Sequence, residues 1–272
     1  MRIVTFRQNG IVRHGVRTGS TIQVRADATS ATNLASLGSV SASGEEVALA
    51  DVELLPPVPN PGKIICIGLN YRAHAIEGGN PIPDYPAVFM RCTTSLAAPG
   101  AAIVYPGCSD KLDYEAELAI VIGKTATNVS ADDALDYVAG YSCFNDGSVR
   151  DYQRKSTQWT MGKNFDNTGP FGPELVTPDE LPAGASGLRI VARLNGQVMQ
   201  DSNTADMIFD VATLIATLSE AMTLEPGDVI ATGTPSGVGY ARTPPVFLKP
   251  GDTIEIEIEG IGTLTNTIAP RA

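Results

Sequence analysis

Three acidic side chains alternate along a segment whose apolar end predicts a β-strand. Asp113, Glu115 and Glu117 are separated by one residue each within residues 112–122. Because alternate residues of a strand share a face, we expect the three carboxylates to project together. Neighbouring carboxylates repel one another unless a cation lies between them, and hard divalent ions accept such oxygen ligands. The segment therefore indicates a metal site, with a solvated acidic strand face as the alternative.

A further acidic residue follows a second predicted strand. The apolar segment 139–145 ends directly before Asp146, and a helix is expected to begin near Ser148. Asp146 could supply another oxygen ligand from the strand end, or it could cap the helix or form the turn. Arg150 and Gln153 are three residues apart and would share a helical face. They could hold a substrate carboxylate, or they could face solvent.

The chain contains only two histidines, His14 and His74. His74 follows the apolar strand 63–68 and precedes Glu77 by three residues, so the two side chains can touch on one helical turn. A carboxylate beside an imidazole fixes its tautomer and raises its basicity, as a general base requires. The alternative is a surface ion pair. His14 lies in a predicted strand and turn, and we expect it at the surface.

Two further segments could bind negative charge. Lys163 lies among apolar residues in the segment that contains the only tryptophan, and it could stabilise an oxyanion or enolate. The alternative is a lysine that extends from a loop to solvent. The glycine-rich loop 232–239, which contains Thr234, follows an apolar strand. Its backbone N–H groups could bind an anion, and an ordinary tight loop is an equal alternative.

The elements that must position these residues are mainly strands. Many short strands and few long helices predict a mixed, β-rich α+β fold with peripheral helices, and no strand–helix alternation indicates a Rossmann fold or TIM barrel. The clearest helix is predicted over residues 204–222, and a short one near 33–37. Four prolines within residues 56–61 predict a stiff linker. We therefore expect a small β-rich N-terminal domain, residues 1–58, and a catalytic domain, residues 59–272.

Composition excludes several classes of function. The 272-residue chain has 19 basic and 30 acidic residues, a formal net charge of −11, which disfavours nucleic acid as a partner. No apolar run approaches the roughly 20 residues that span a bilayer, and the first residues do not resemble a signal peptide. We therefore expect a cytoplasmic protein without a membrane partner. The four cysteines form no CxxC pair, which disfavours a zinc site.

The chemistry-bearing segments occur in an order that resembles the fumarylacetoacetate hydrolase family over residues 63–267. The matching motifs are Asn70-Tyr71-x-x-His74-x-x-Glu77, Glu115-x-Glu117, Asp146 followed by Arg150-Asp151-x-Gln153, Gly162-Lys163-x-Phe165-Asp166, and Thr232-Gly233-Thr234-Pro235-x-Gly237-Val238-Gly239. The resemblance implies a β-roll or sandwich fold with a small N-terminal domain, and usually a homodimer. It also implies one divalent cation, Mg²⁺ or Mn²⁺ with Ca²⁺ also compatible, bound by Glu115, Glu117 and Asp146. Asp113 is not a ligand position in the family.

The leading functional hypothesis is metal-dependent hydrolysis of a carbon–carbon bond in a 2,4-diketo acid of the acylpyruvate or fumarylpyruvate type, as in aromatic catabolism. His74, oriented by Glu77, would activate water, and Lys163 would offset negative charge in the transition state. The small anionic substrate would be held by Arg150, Gln153 and Thr234. The alternatives within the family are an oxaloacetate decarboxylase and a keto-acid isomerase or hydratase. The alternative outside enzymes is a binder of keto acids without turnover.

Overall fold

The computed structural model describes residues 1–25 and 42–271, so the short helix predicted near 33–37 lies outside the described residues. The strands are β1 Arg2–Gln8, β2 Ile11–Thr18, β3 Thr21–Arg25, β4 Ala42–Ala48, β5 Glu53–Leu54, β6 Ile64–Gly68, β7 Ala87–Arg91, β8 Leu96–Ala97, β9 Ile103–Tyr105, β10 Leu112–Asp113, β11 Ala116–Ile122, β12 Val138–Asn145, β13 Ser148–Val149, β14 Gly169–Val176, β15 Arg189–Leu194, β16 Gln197–Asn203, β17 Val229–Ala231, β18 Thr253–Ile258 and β19 Gly262–Pro270. The helices are α1 Arg72–Glu77, α2 Arg150–Gln153, α3 Thr160–Lys163 and α4 Val211–Ala221. Single 3₁₀ turns occupy Leu49–Asp51, Thr93–Ser95, Ala134–Tyr137, Pro178–Glu180, Ala183–Ala185, Thr204–Asp206 and Gly239–Ala241.

Two sheets make up most of the described chain. The larger follows the order β4-β3-β2-β1-β14-β12-β11-β17-β6-β7, with β5 on β1 and β8 on β14. The smaller follows the order β16-β15-β18-β19-β9, and β10 and β13 form a separate pair. This arrangement confirms the predicted β-rich mixed fold with short peripheral helices. No helix in the described part of the chain is long and apolar enough to cross a bilayer.

The core lies against both faces of β11. Leu118 and Ile120 point to one face, in the same cluster as Ile190 and Ile256 of the smaller sheet, whereas Val121 belongs to a second cluster on the other face. Every residue of β11 is buried. Since burying one such aliphatic side chain contributes about 1.5–3 kcal/mol, this strand is a rigid support for the residues at its ends.

The N-terminal strands extend the larger sheet. β1 pairs antiparallel with β14 in the register Arg2↔Val176, while Val4, Phe6 and Ile22 belong to a hydrophobic cluster of their own. The first strands thus share a sheet with the rest of the chain but keep a separate core. The boundary between residues 58 and 59 lies in the strand-free segment after β5 and stays a prediction.

His14 is buried, which corrects the expectation of a surface histidine. It lies in β2, between β1 and β3, and its side chain is 3% exposed. The Thr5 hydroxyl donates to the carbonyl of Pro57 at 2.7 Å, so His14 Nδ1, 2.9 Å from that hydroxyl oxygen, donates to it. Burial lowers the pKa of His14.

Four strand termini meet at one edge of the larger sheet. β11 is antiparallel to both β12 and β17, in the registers Ala116↔Asn145 and Ala119↔Ala231. Its beginning therefore lies beside the ends of those two strands. β6 runs parallel to β17, so it also ends at this edge. The segments that follow these strands contain the predicted chemistry.

Two predicted elements have different bounds in the structure. The strand predicted over residues 112–122 is interrupted after Asp113. Residues 112–113 form β10, which pairs with β13 outside the larger sheet, whereas β11 belongs to the larger sheet. The helix predicted over 204–222 begins only at Val211, where the Asp210 carboxylate accepts from the backbone N–H of Thr213 and caps it. Residues 204–206 form a 3₁₀ turn instead.

Candidate functional site

Three carboxylates converge at the edge where β11 begins. One oxygen from each of Glu115, Glu117 and Asp146 lies within 4.8 Å of the others, and all three side chains are buried. Glu117 belongs to β11, Glu115 precedes it, and Asp146 follows β12. The register between these two strands brings them together, and we call the three residues the acidic triad.

Asp113 does not join the acidic triad. Its carboxylate accepts from the backbone N–H groups of Gly239 and Tyr240 at 2.8 and 3.0 Å, and from Arg150 Nε at 2.8 Å. The shared face expected from strand alternation fails because the strand is interrupted between Asp113 and Glu115. This placement agrees with the family resemblance, in which the position is not a ligand.

Buried cations neutralise part of the triad. Lys163 Nζ lies 2.7 Å from Glu115 Oε2 and 2.6 Å from Asp146 Oδ2, and Arg150 Nη1 lies 2.6 Å from Glu115 Oε1. Arg91 pairs with the second oxygen of Asp146. Lys163 is therefore not a loop lysine in solvent: it is 2% exposed and contacts two members of the triad.

The pKa values of the two glutamates diverge because their partners differ. Burial opposes ionisation of Glu115, but Lys163, Arg150 and His74 outweigh it and lower the pKa to about 2. For Glu117, burial and the nearby charges of Asp146 and Glu115 raise the pKa well above its usual range. A carboxylate in this position favours a cation as neighbour.

The donor set fits a hard divalent ion. Four buried carboxylates, those of the triad and Asp113, oppose the three buried cations Arg91, Arg150 and Lys163. With all four carboxylates ionised, as cation binding requires of the triad, the cluster has one negative charge in excess. All three triad members offer oxygen, the ligand that Mg²⁺, Mn²⁺ and Ca²⁺ prefer. With a divalent ion bound, the cluster would have net positive charge and favour an anionic ligand.

His74 and Glu77 form a dyad on α1 beside the acidic triad. His74 Nδ1 lies 2.8 Å from Glu77 Oε1, and Glu77 Oε2 accepts from the backbone N–H of Gly237 at 2.9 Å. His74 is buried, and it lines the same cavity as the three members of the acidic triad. The structure therefore places the dyad inside the site, where the alternative of a surface ion pair does not apply.

The glycine-rich loop binds the chain's own carboxylates. The backbone N–H of Gly233 donates to Glu117 Oε2 at 2.9 Å, and that of Gly237 donates to Glu77. Both glycines have φ near +100°, a backbone conformation that residues other than glycine rarely adopt. The backbone N–H groups of the loop thus bind negative charge, and the charges they bind are the carboxylates of Glu117 in the triad and Glu77 in the dyad.

A cavity of about 370 Å³ opens onto the triad and onto His74 of the dyad. Phe89 and Trp159 form an apolar wall, with their rings 5.5 Å apart edge to face. Trp159 packs so closely on Gly68 that a Cβ there would lie 2.2 Å from its ring, which explains the glycine. The cavity is lined by Ile67, Gly68, Leu69, His74, Gly78, Asn80, Phe89, Glu115, Glu117, Asp146, Arg150, Gln153, Arg154, Trp159, Lys163, Thr234 and Tyr240.

All three residues predicted to hold substrate line this cavity. Arg150 is buried rather than solvent-facing, and its Nη1 donates to Gln153 Oε1 at 3.0 Å. Its Nη2 is buried without a hydrogen-bond partner in the described part of the chain. Thr234 is almost fully buried and accepts from Gln200. Their contact with a substrate stays a prediction.

Sequence reasoning missed three residues of the site. Arg91 pairs with Asp146, Gln200 contacts Thr234, and the ring of Tyr240 lies beside Arg150. None lies at a motif spacing from its partner, since each comes from a different element. The signals available were an arginine at the end of the segment 87–91 and a glutamine within the segment 197–203, and neither is specific.

Comparison with known proteins decides the family. The family model described as fumarylacetoacetate (FAA) hydrolase C-terminal matches residues 63–269. The chain belongs to the fumarylacetoacetate hydrolase family. A second model, described as Rv2993c-like, N-terminal, matches residues 1–57 of this family member.

Several relatives of this fumarylacetoacetate hydrolase family member have names that indicate tautomerases and isomerases. It is 47% identical to oxaloacetate tautomerase YisK of Bacillus subtilis, over 81% of this chain and 74% of that protein. It is 44% identical to the human mitochondrial oxaloacetate tautomerase FAHD2A, over 80% and 70%. A solved structure titled 2-hydroxyhepta-2,4-diene-1,7-dioate isomerase, from Mycobacterium marinum, superposes with a TM-score of 0.85 at 35% identity, over 100% and 99%. These names support the isomerase alternative better than the leading hypothesis of hydrolysis.

Proposed function

We propose that this enzyme catalyses keto–enol tautomerisation of an anionic 2-keto acid, with oxaloacetate as the first candidate, and that it uses a divalent cation. The observation that carries the proposal is that one cavity is lined both by His74, whose Nδ1 is paired with Glu77, and by a buried acidic triad. The names of the relatives are in accord with proton-transfer chemistry of this kind.

The dyad would move the proton. With Nδ1–H directed to Glu77, neutral His74 has an unprotonated Nε2 that can accept a proton from C3 of the keto form. The C3–H bond breaks and its electron pair forms the C2–C3 double bond, while the π pair of the C2–O double bond moves to the 2-oxygen. The 2-oxygen then takes the proton from His74 Nε2. Glu77 would stabilise the imidazolium that exists between the two transfers.

Lys163, Arg150 and Thr234 would bind and orient the substrate. The Lys163 ammonium and the Thr234 hydroxyl line the cavity and can donate to an oxygen that gains negative charge. A divalent cation bound by Glu115, Glu117 and Asp146 would supply Lewis-acid stabilisation of that charge. The oxygen-only donor set suits Mg²⁺ or Mn²⁺, and Ca²⁺ is compatible.

Tautomerisation requires fewer catalytic components from this site than hydrolysis does. Hydrolysis of an acylpyruvate needs a water molecule placed for attack on the distal carbonyl, in addition to a general base. Tautomerisation needs only a base near C3 and stabilisation of charge on the 2-oxygen. The dyad and the cations beside the triad supply groups for both requirements.

The test uses the purified protein loaded with Mg²⁺ or Mn²⁺. The enol form of oxaloacetate is added, and its conversion to the keto form is followed by absorbance against the uncatalysed rate. Pyruvate release is measured in parallel from oxaloacetate and from an acylpyruvate. We expect faster enol loss without pyruvate release. Pyruvate release from the acylpyruvate, with enol loss at the uncatalysed rate, would contradict the proposal and restore the hydrolase hypothesis.

A further inference from the structure

A second guanidinium lies at the mouth of the cavity, outside the buried cluster. Arg154 directly follows α2, lines the cavity and is exposed. Its Cζ lies 4.3 Å from the ring centroid of Tyr240, and Arg150 Cζ lies 4.5 Å from the same centroid. Tyr240 thus contacts both guanidiniums and restrains Arg154 beside the deeper arginine.

Among the residues that the structure describes, Arg154 differs from the other strong cations of the cavity in having no carboxylate partner. Arg150 is paired with Asp113 and Glu115, and Lys163 is paired with two members of the acidic triad. No ion pair or side-chain hydrogen bond of Arg154 occurs within residues 1–25 and 42–271. Its planar set of N–H donors is therefore available to a ligand in a geometry that suits a carboxylate.

We propose that Arg154, restrained by Tyr240, binds a second carboxylate of the substrate and selects dicarboxylic 2-keto acids over monocarboxylic ones. This inference rests on the proposed function for the direction of the substrate, whose keto-acid end would lie at the buried acidic triad. The opposite end of the molecule then lies toward the mouth, where Arg154 is exposed and has no carboxylate partner in the described part of the chain. The residue determines specificity and takes no part in proton transfer.

A cation near the mouth could instead attract every anion by its long-range field. The two roles differ in what they recognise. A field acts on monocarboxylates and dicarboxylates alike and also arises from neighbouring charges, whereas direct pairing acts only on a molecule that has the second carboxylate. Lys155 provides the matched control: it is the next residue, it is exposed, its ammonium lies over Tyr152, and it does not line the cavity.

The kinetic test compares Arg154→Met and Lys155→Met with the wild-type holoenzyme on the enols of oxaloacetate and phenylpyruvate, at fixed ionic strength. We expect Arg154→Met to lower kcat/KM for oxaloacetate by roughly tenfold, mainly through KM, and to change phenylpyruvate by less than about twofold. Arg154→Lys should retain part of the preference because it keeps the charge. Lys155→Met should keep the wild-type ratio. Equal losses on both substrates, or the same ratio change in Lys155→Met, would overturn the proposal.

A binding test separates this inference from the proposed function. Malate and 2-hydroxybutyrate share a 2-hydroxy-acid end and differ in the distal carboxylate, and neither requires turnover. Calorimetry on Mg²⁺-loaded protein should show tighter binding of malate to wild type and to Lys155→Met, and equal binding of the two to Arg154→Met. If that pattern appears in a protein that does not accelerate enol loss, the proposed function fails and the dicarboxylate site stands. If tautomerisation is found and malate has no advantage in wild type, the inference fails alone.

Discussion

The side-chain amide of Gln200 fixes the direction in which the Thr234 hydroxyl can donate. Gln200 Oε1 accepts from the backbone N–H of Ala116 at 2.9 Å, and only the oxygen of the amide can do so. Gln200 Nε2 therefore faces Thr234 Oγ1 and the carbonyl of Pro235, both at 2.8 Å. Because Thr234 Oγ1 accepts this hydrogen bond, its own hydrogen is left to donate to a ligand in the cavity.

Gln200 should therefore act on turnover through Thr234. We expect Thr234→Val to lower kcat for enol oxaloacetate by roughly 100- to 1,000-fold, as loss of a donor to a developing negative charge does. Gln200→Met should lower kcat by a smaller factor in wild type, and by less than about twofold in the Thr234→Val background. The measurement is a double-mutant cycle on kcat and KM with the metal-loaded protein.

Thermal unfolding separates this positioning role from a merely structural one. Gln200 is buried and accepts a hydrogen bond from the backbone N–H of Ala116, the first residue of β11. Loss of this side chain should therefore also lower the unfolding temperature. A structural role predicts the same loss of activity whether residue 234 is threonine or valine. Additive effects in the cycle would therefore remove Gln200 from the positioning of Thr234.

A separate prediction concerns the dyad of His74 and Glu77. His74→Ala should lower the tautomerisation rate by about 100- to 10,000-fold, the usual effect of losing a positioned general base. Glu77→Gln should also slow the reaction, because the imidazolium loses its charged partner. Both variants should still bind oxalate, which chelates the cation and needs no base. The measurements are kcat on enol oxaloacetate and oxalate affinity by calorimetry; a His74→Ala variant with near-wild-type kcat would exclude this residue as the base.

The sequence was sufficient for the parts of the site that lie within one local segment. The spacing of His74 and Glu77 predicts a contact across one helical turn, and the alternation of Glu115 and Glu117 predicts a shared face. The addition of Asp146 to this pair depended on the family resemblance. Asp146 follows a different strand, so its position relative to the two glutamates can only be predicted when it is known which strands pair.

Long-range partners could not be predicted in this way. Arg91 reaches Asp146 across 55 residues of chain, and Gln200 reaches Thr234 from another sheet. Neither pairing leaves a spacing in the sequence. For Asp113 the local spacing predicted a contact that does not form. The spacing placed its carboxylate on the same face as Glu115 and Glu117, but β10 pairs with β13 and the carboxylate lies outside the triad. Local periodicity predicts faces, and only the sheet topology decides which faces meet.

Removal of one triad charge should affect metal binding and stability in opposite ways. Burial and neighbouring carboxylates raise the pKa of Glu117, so Glu117→Gln should leave the metal-free protein at least as stable as wild type. The same change should weaken Mn²⁺ binding by at least roughly tenfold, because the ion loses an anionic ligand.

Thermal unfolding with and without Mn²⁺, together with calorimetry, tests this pair of effects. Wild type should gain stability with Mn²⁺, and Glu117→Gln should gain little at the same concentration. Metal affinity of wild type should also fall with decreasing pH, since Mn²⁺ competes with a proton on Glu117. Glu220→Gln is the control, because this carboxylate is exposed on α4. Equal Mn²⁺ affinity in wild type and Glu117→Gln would exclude the residue from the ligand set.

The family resemblance also predicts a homodimer. Sedimentation of the metal-loaded protein should give about twice the chain mass of 28.5 kDa. The activity should be measured over the same concentration range. A monomer of unchanged mass and full activity throughout that range would refute the dimer.

The last prediction concerns His14, which lies outside the cavity and titrates independently of any bound metal. Burial lowers its pKa in the folded protein, so near pH 6 the folded state holds fewer protons at this residue than the unfolded state. Stability must then fall as pH decreases below the unfolded histidine value of about 6.5 and continue to fall until the folded value is reached. His14→Gln removes the titration, and its amide can still donate to the Thr5 hydroxyl.

The measurement is the free energy of unfolding of both proteins by urea between about pH 7.5 and pH 5. His74 is present in both, so its titration cancels in the difference between them. We expect wild type to lose stability relative to His14→Gln as pH falls, whatever the offset between the two at pH 7.5. Parallel curves would mean that His14 binds protons equally in both states. A relative gain of wild type at low pH would mean that a charged His14 is stabilised in the fold. That outcome would contradict its burial against Thr5, with no acidic partner within residues 1–25 and 42–271.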